Sequence, residues 1–225
     1  ARPATPIRFW LDAPQVLAGR DEKEGGTWLG VTRSGRWAAL TNYREPNAPV
    51  GVLSRGHLVA DFLQGDSETL VYLDDIAKHA DDYSGFNLLV GTRQQAAVFS
   101  NRGTPPTLLA AGLYGLSNHL LDSPWPKTQR LKMGLTDLVK QAQIDTTQAL
   151  SLLQDQTQPA DEDLPETGVS VDWERMLATA FIKLPVYGTR ASSVLLLGQE
   201  RGLFIEQTWL NGELGERAEI GFDYE

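Results

Sequence analysis

The chain contains no cysteine among its 225 residues, which excludes disulfides, thiolate metal sites and a cysteine nucleophile within these residues. That absence fits a reducing compartment, and a cytoplasmic location is the expectation. No apolar run approaches the ~20 residues that a spanning helix needs. The opening "ARPATPIRFW" has no hydrophobic signal-peptide core. Positive charge is also scarce: 20 Lys and Arg stand against 29 Asp and Glu, a net charge of −9. Nucleic acid and anionic lipid both select clustered cations, so neither is an expected partner. A phosphate-cradling loop, a dinucleotide fingerprint, a G-x-S-x-G elbow and an H-E-x-x-H pair are all missing. His57, His79 and His119 are scattered without metal-ligand spacing, so no metal is expected and each reads as structural or surface. Internal repeats and low-complexity tracts are lacking as well.

What is present is a composition that can fold. Hydrophobic residues make up 41% and charged residues 22%, ordinary values for a globular chain. One domain over residues 1–225 is the expectation. "TWLGV" and "RWAALTN" are β-rich, with Ser34-Gly35 between them for a tight turn. Gly25-Gly26 opens backbone conformations closed to other residues, or lets another segment approach closely. "SRGHLVADFL" places Leu58, Val59, Phe62 and Leu63 at helical spacing, with Ser54 as N-cap. "TLVYLDDIAKHADDY" gives a second helix with Leu70, Leu73, Ile76 and Ala77 on one face. "GFNLLVGTRQQAAVFSNRG" returns to strand, turning at Gly91 to Gln94, and "GLYGLSN" reads as another short strand. "WPKTQRLKMGLTDLVKQA" and "TTQALSLLQD" are helical. "QTQPADEDLPETGVSVD" is an exposed acidic loop. "WERMLATAFIKL" begins as helix and turns toward strand. "YGTRASSVLLLGQERGLFIEQTWL" is a hairpin, and "ERAEIGFDYE" a last strand.

Strands, two helices, strands, two helices, strands: segregated runs favour an α+β fold over a doubly wound parallel sheet. Two antiparallel sheets covered by helices, a four-layer α/β/β/α sandwich, is the expected architecture.

Two segments carry candidate chemistry. "YGLSNHLLDSPWPKT" places Asn118 at a strand end, where its amide can aim at a developing oxyanion. The competing reading is that Asn118 closes a turn on its own backbone, as Asn often does. "LPVYGTRASSVLLL" places Arg190 at the start of an apolar strand, able to anchor a carboxylate, steady a nucleophile or simply hold structure.

Taken in order, "LAGRDEKEGGTWLGVTRSGRWAALTNYREP", "SRGHLVADFL", "YSGFNLLVG", "YGLSNHLLDSPWPK" and "LPVYGTRASSVLLL" resemble the NRDE family, also called the transport and Golgi organization protein 2 family. The likeness spans nearly the whole chain. It implies an Ntn-hydrolase-like sandwich and an N-terminal Cys whose thiol attacks an amide carbonyl, with its own α-amino group, of typical pKa about 7.7–8.0, as base. Neither that Cys nor the Asn-Arg-Asp-Glu signature is here; "GRDE" at Gly19 to Glu22 matches a separate downstream family segment. The chain opens on Ala1 rather than Met, which fits a family member lacking its first strand. By the same resemblance, Asn118 and Asn42 supply oxyanion donors and Arg190 sits beside the nucleophile. The implied function is hydrolysis of a small amide or acyl conjugate without a cofactor. The alternative implied by the family is non-enzymatic haem binding or trafficking, for which Trp10, Trp28, Trp125 and His119 are the candidate groove residues.

Overall fold

The computed structural model describes residues 3–185 and 187–225; Ala1, Arg2 and Val186, the last within "LPVYGTRASSVLLL", lie outside the described residues. Seven strands form one antiparallel meander: β1 (Ala4–Phe9), β2 (Val16–Asp21), β3 (Leu29–Thr32), β4 (Trp37–Asn42), β5 (Phe86–Gly91), β6 (Ala96–Ser100) and β7 (Thr104–Leu109). A second antiparallel sheet holds β8 (Ala191–Leu197), β9 (Arg201–Leu210) and β10 (Glu213–Asp223) in the order β10-β9-β8. Helices α1 (Arg55–Gln64) and α2 (Thr69–Ala77) follow β4, and α3 (Pro126–Val139), α4 (Thr146–Leu152) and α5 (Val171–Leu177) precede β8.

The alternation along each strand decides the layering. Phe86, Leu88 and Val90 on β5 face one way and pack with Leu58, Phe62 and Leu63 of α1 and Leu73 of α2. The opposite face of the same sheet supplies Ile7, Leu17 and Val31, which meet Phe204 and Phe222 of the small sheet. Helix α4 packs against β8. The result is the two-sheet sandwich expected from the element order, with every strand pair antiparallel. Each fully buried Phe or Leu in these layers contributes about 1.5–3 kcal/mol relative to exposure.

Local chemistry explains most element ends. The Arg36 guanidinium lies over the Phe62 ring and donates to Phe62 O and Ser67 O, taking up a carbonyl that the last turn of α1 leaves unpaired. Pro126 starts α3, where its missing N–H costs nothing. Asp145 caps α4 through the Thr147 and Gln148 amides. Ser54 does occupy the N-cap position of α1, but its side chain makes no capping bond. The adjacent glycines divide the two roles anticipated for them. Gly25 takes φ +75, while a Cβ at Gly26 would stand 2.5 Å from the Gly56 carbonyl carbon, where Gly56 O accepts the Thr27 amide.

Three strands lie outside the sequence pattern. Prolines occur in β1 (Pro6) and β7 (Pro105, Pro106), and both are edge strands, where a missing donor is tolerated. The third, β2, is buried along most of its length and so does not alternate. Two expected strands are absent. "GLYGLSN" is loop, because Gly115 and Asp122 bond each other through backbone and carboxylate and close residues 115–122 on themselves. After α5 the chain makes only an isolated bridge, Lys183 to Gly188, instead of a strand.

The sheet edges differ in protection. Edge strands β1 and β7 carry proline, and β10 carries Glu213, Glu216, Arg217, Glu219 and Asp223. Strand β8 (ASSVLLL) has neither charge nor proline, and among the described strands it pairs only with β9. An apolar, unblunted edge is a template for a further strand.

Candidate functional site

Asn42 ends β4, as expected, while Asn118 lies in the 113–125 loop rather than at a strand end. The structure brings the two together. Asn118 Nδ2 donates to Asn42 O at 3.0 Å, and the Arg44 amide donates back to Asn118 O at 2.8 Å. Asn118 therefore reaches 76 residues across the chain rather than closing a turn on its own backbone. A carbonyl only accepts, so the amide nitrogen must face Asn42; of its two protons one is spent there and one remains for another acceptor.

Around this junction the side chains are stacked and paired. The His119 ring lies 5.0 Å from Tyr43 and 5.8 Å from Trp125, centroid to centroid, and its Nδ1 lies 2.7 Å from Ser123 Oγ. Arg44 sits 4.9 Å over Trp125 and forms a 2.8 Å ion pair with the buried Glu174 of α5. Glu174 also accepts from the Thr167 amide and hydroxyl. Burial pushes the Arg44 guanidinium below its usual range, against the pull of Glu174. The same burial, with Arg44 nearby, lowers Lys127 to about 8, and its Nζ donates to Leu177 O. Asp122, which holds the loop's other end, adopts φ 56, a left-handed conformation that Asp tolerates at modest cost.

Arg190 lies elsewhere. It immediately precedes β8, gives its carbonyl to the Trp209 amide and lines a cleft of about 590 Å³ at the open end of the two sheets. Thr5, Asp21, Trp28 and Glu206 share that cleft, whereas Asn42 and Asn118 do not line it. Glu206 is the cleft's buried acid: its Oε1 accepts the Ile7 amide across the gap between the sheets at 3.0 Å, and desolvation raises its carboxyl above the ordinary range. The register shift in β1 between Thr5 and Arg8 lies beside that amide. The Thr5 hydroxyl is buried without a partner among the described residues. Of the four groove candidates, only Trp28 lines the cleft; Trp10 is core, its indole donating to Ala18 O, and Trp125 is enclosed by Arg44 and Lys127. No group of three or more His, Cys, Asp or Glu among the described residues could hold a metal.

Residues 1–211 match the family profile described as Transport and Golgi organisation 2. The chain belongs to that family. Its similarity to the Transport and Golgi organization protein 2 homolog of Bos taurus is 34% identity over 235 residues, covering 94% of this chain and 83% of that protein. The Homo sapiens homolog is 32% identical over 232 residues, covering 95% and 84%. The Mus musculus Transport and Golgi organization 2 homolog is 33% identical over 214 residues, covering 87% and 77%. No helix among the described residues is long and apolar enough to cross a membrane.

Four residues of the site were not anticipated. Asn87 interrupts an otherwise apolar strand segment, "FNLLVG", and Glu206 directly follows the apolar run "LFI"; each polar residue is a signal readable in sequence. Arg44 and Glu174 stand 130 residues apart, and only folding pairs them.

Proposed function

We propose that this member of the Transport and Golgi organisation 2 family is an N-terminal-nucleophile hydrolase of a small amide or acyl conjugate, built as one domain. The observation that carries this reading is the Asn118–Asn42 junction, which leaves one amide proton of the loop residue Asn118 beside the end of β4, backed by buried groups. Preorganised donors of this kind are what a tetrahedral oxyanion needs. The nucleophile is a thiol outside these 225 residues, and the carbonyl it attacks lies against the Asn118–Asn42 junction. In the reaction the thiolate attacks the amide carbon, the C–S bond forms and the C–N bond breaks as the amine leaves with a proton. Water then hydrolyses the thioester. No cofactor takes part.

The test is hydrolysis of a panel of N-acyl p-nitroanilides by the protein with its native leading segment. Turnover that iodoacetamide abolishes, and that Asn118→Ala lowers by about 10²–10³ in kcat, supports the reading. Absence of turnover together with absence of a reactive thiol overturns it.

A further inference from the structure

We propose that Asn87 is the positioning residue that sets the separation between Asn42 and Asn118. It sits in the middle layer on β5, opposite Thr41 on one side and Ser100 on the other, and is 1% exposed. Its Nδ2 donates to Thr41 Oγ1 at 3.0 Å and to His119 O at 2.9 Å. Thr41 precedes Asn42, and His119 follows Asn118. The two protons of one buried amide are thus shared between the two chain segments that meet at the site. The carbonyl of His119 can only accept, which fixes the amide nitrogen toward the junction and leaves Oδ1 on the other side. That oxygen is buried with no partner among the described residues.

The cost of this arrangement argues that it is retained for position. An orphaned buried acceptor is unfavourable, and a Leu here would avoid it only by leaving the His119 carbonyl without this donor, so that carbonyl is the group the amide serves. Backbone pairing of β5 to both β4 and β6 holds the Asn87 Cα, so its fork is a spacer of fixed length rather than a flexible link. The loop carrying Asn118 has no strand pairing of its own, and Asn87 is the contact through which the sheet itself holds that loop's carbonyl.

The proposal rests on the hydrolase reading only for its consequence in catalysis; the spacing claim is read without substrate. Asn87→Leu keeps the branched shape and removes both donors, and Asn87→Thr keeps one. With ¹⁵N-labelled protein, hydrogen exchange at the Arg44 amide, which bonds Asn118 O, and the shift of the Asn118 side-chain NH₂ report the junction. The Leu88 and Val90 amides report the sheet. We expect exchange at Arg44 to quicken at least tenfold in Asn87→Leu, with a smaller change in Asn87→Thr, while Leu88 and Val90 stay within twofold. The Asn118 resonance moves in parallel. Unchanged Arg44 exchange, or acceleration shared equally by Leu88 and Val90, overturns the proposal, and Asn87→Thr serves as the readable variant if Asn87→Leu does not fold. Where turnover is measurable, Asn87→Leu lowers kcat with KM unchanged. Loss of junction order with no turnover in either protein condemns the hydrolase reading and leaves the spacing intact.

Discussion

Replacing Glu174 by Leu tests whether the buried charges behind the site are held by pairing. Its carboxylate bonds Arg44 at 2.8 Å and accepts twice from Thr167, and both members of the ion pair are nearly inaccessible, at 4% and 10% side-chain exposure. The Leu variant keeps the bulk but leaves Arg44 buried and uncompensated beside Lys127, with the Thr167 donors stranded. Breaking a buried pair from one side costs about 3–5 kcal/mol. For a chain of this length that corresponds to a fall in Tm of about 6–20 °C, taking ~2–4 °C per kcal/mol. Urea unfolding followed by tryptophan fluorescence measures it, since Trp125 lies against Arg44. The decisive control is the double variant Arg44→Met with Glu174→Leu. It removes the stranded charge, so it should recover all but about 1–2 kcal/mol, because the desolvation penalty of a buried ion goes with the ion. A single variant costing under about 1 kcal/mol, or a double variant no more stable than the single, refutes the reasoning.

The layered fold was legible in sequence because amphipathic periodicity is a local property. The α1 pattern Leu58, Val59, Phe62 and Leu63 and the β4 run "RWAALTN" each state which face is buried. Strands β1 and β7 were hidden because edge position excuses their prolines, and edge position is a fact about the whole sheet. The site was legible only through its family resemblance. Asn42 and Asn118 are brought together by the fold, yet their bond, the Asn87 fork and the Arg44–Glu174 pair all join residues far apart in sequence. Arg190 was placed correctly at the head of its strand, but in a different cavity from the two asparagines.

Three further outcomes follow from the same chemistry. Lys127 is held near 8 in the fold against about 10.4 unfolded, so it penalises the folded state by about 3 kcal/mol at low pH, and that penalty lifts as pH rises above 8. Between pH 8 and 9.5, below the range of the buried tyrosines, unfolding free energy should rise with pH, and Lys127→Met should flatten that rise. Glu206 has its folded value raised, so its contribution is complete at acid pH and is lost as pH rises through that value. Glu206→Gln keeps an acceptor for the Ile7 amide, and its Tm should exceed the parent's more at pH 7 than at pH 4.5. Gly26→Ala drives a Cβ into the Gly56 backbone, so it should destabilise by about 1–3 kcal/mol in the same urea assay, whereas an equal Cm would show that the contact can open.

The proposed hydrolase mechanism is tested most directly by trapping the covalent intermediate it requires. Protein with its native leading segment is mixed with an N-acyl p-nitroanilide, quenched in acid within a turnover and digested for mass spectrometry. An acyl mass on a leading-segment cysteine, formed about 10²–10³ more slowly in Asn118→Ala of unchanged Tm, is the predicted result. An adduct that forms equally fast without the Asn118 amide, or acyl transfer to no thiol at all, would contradict it.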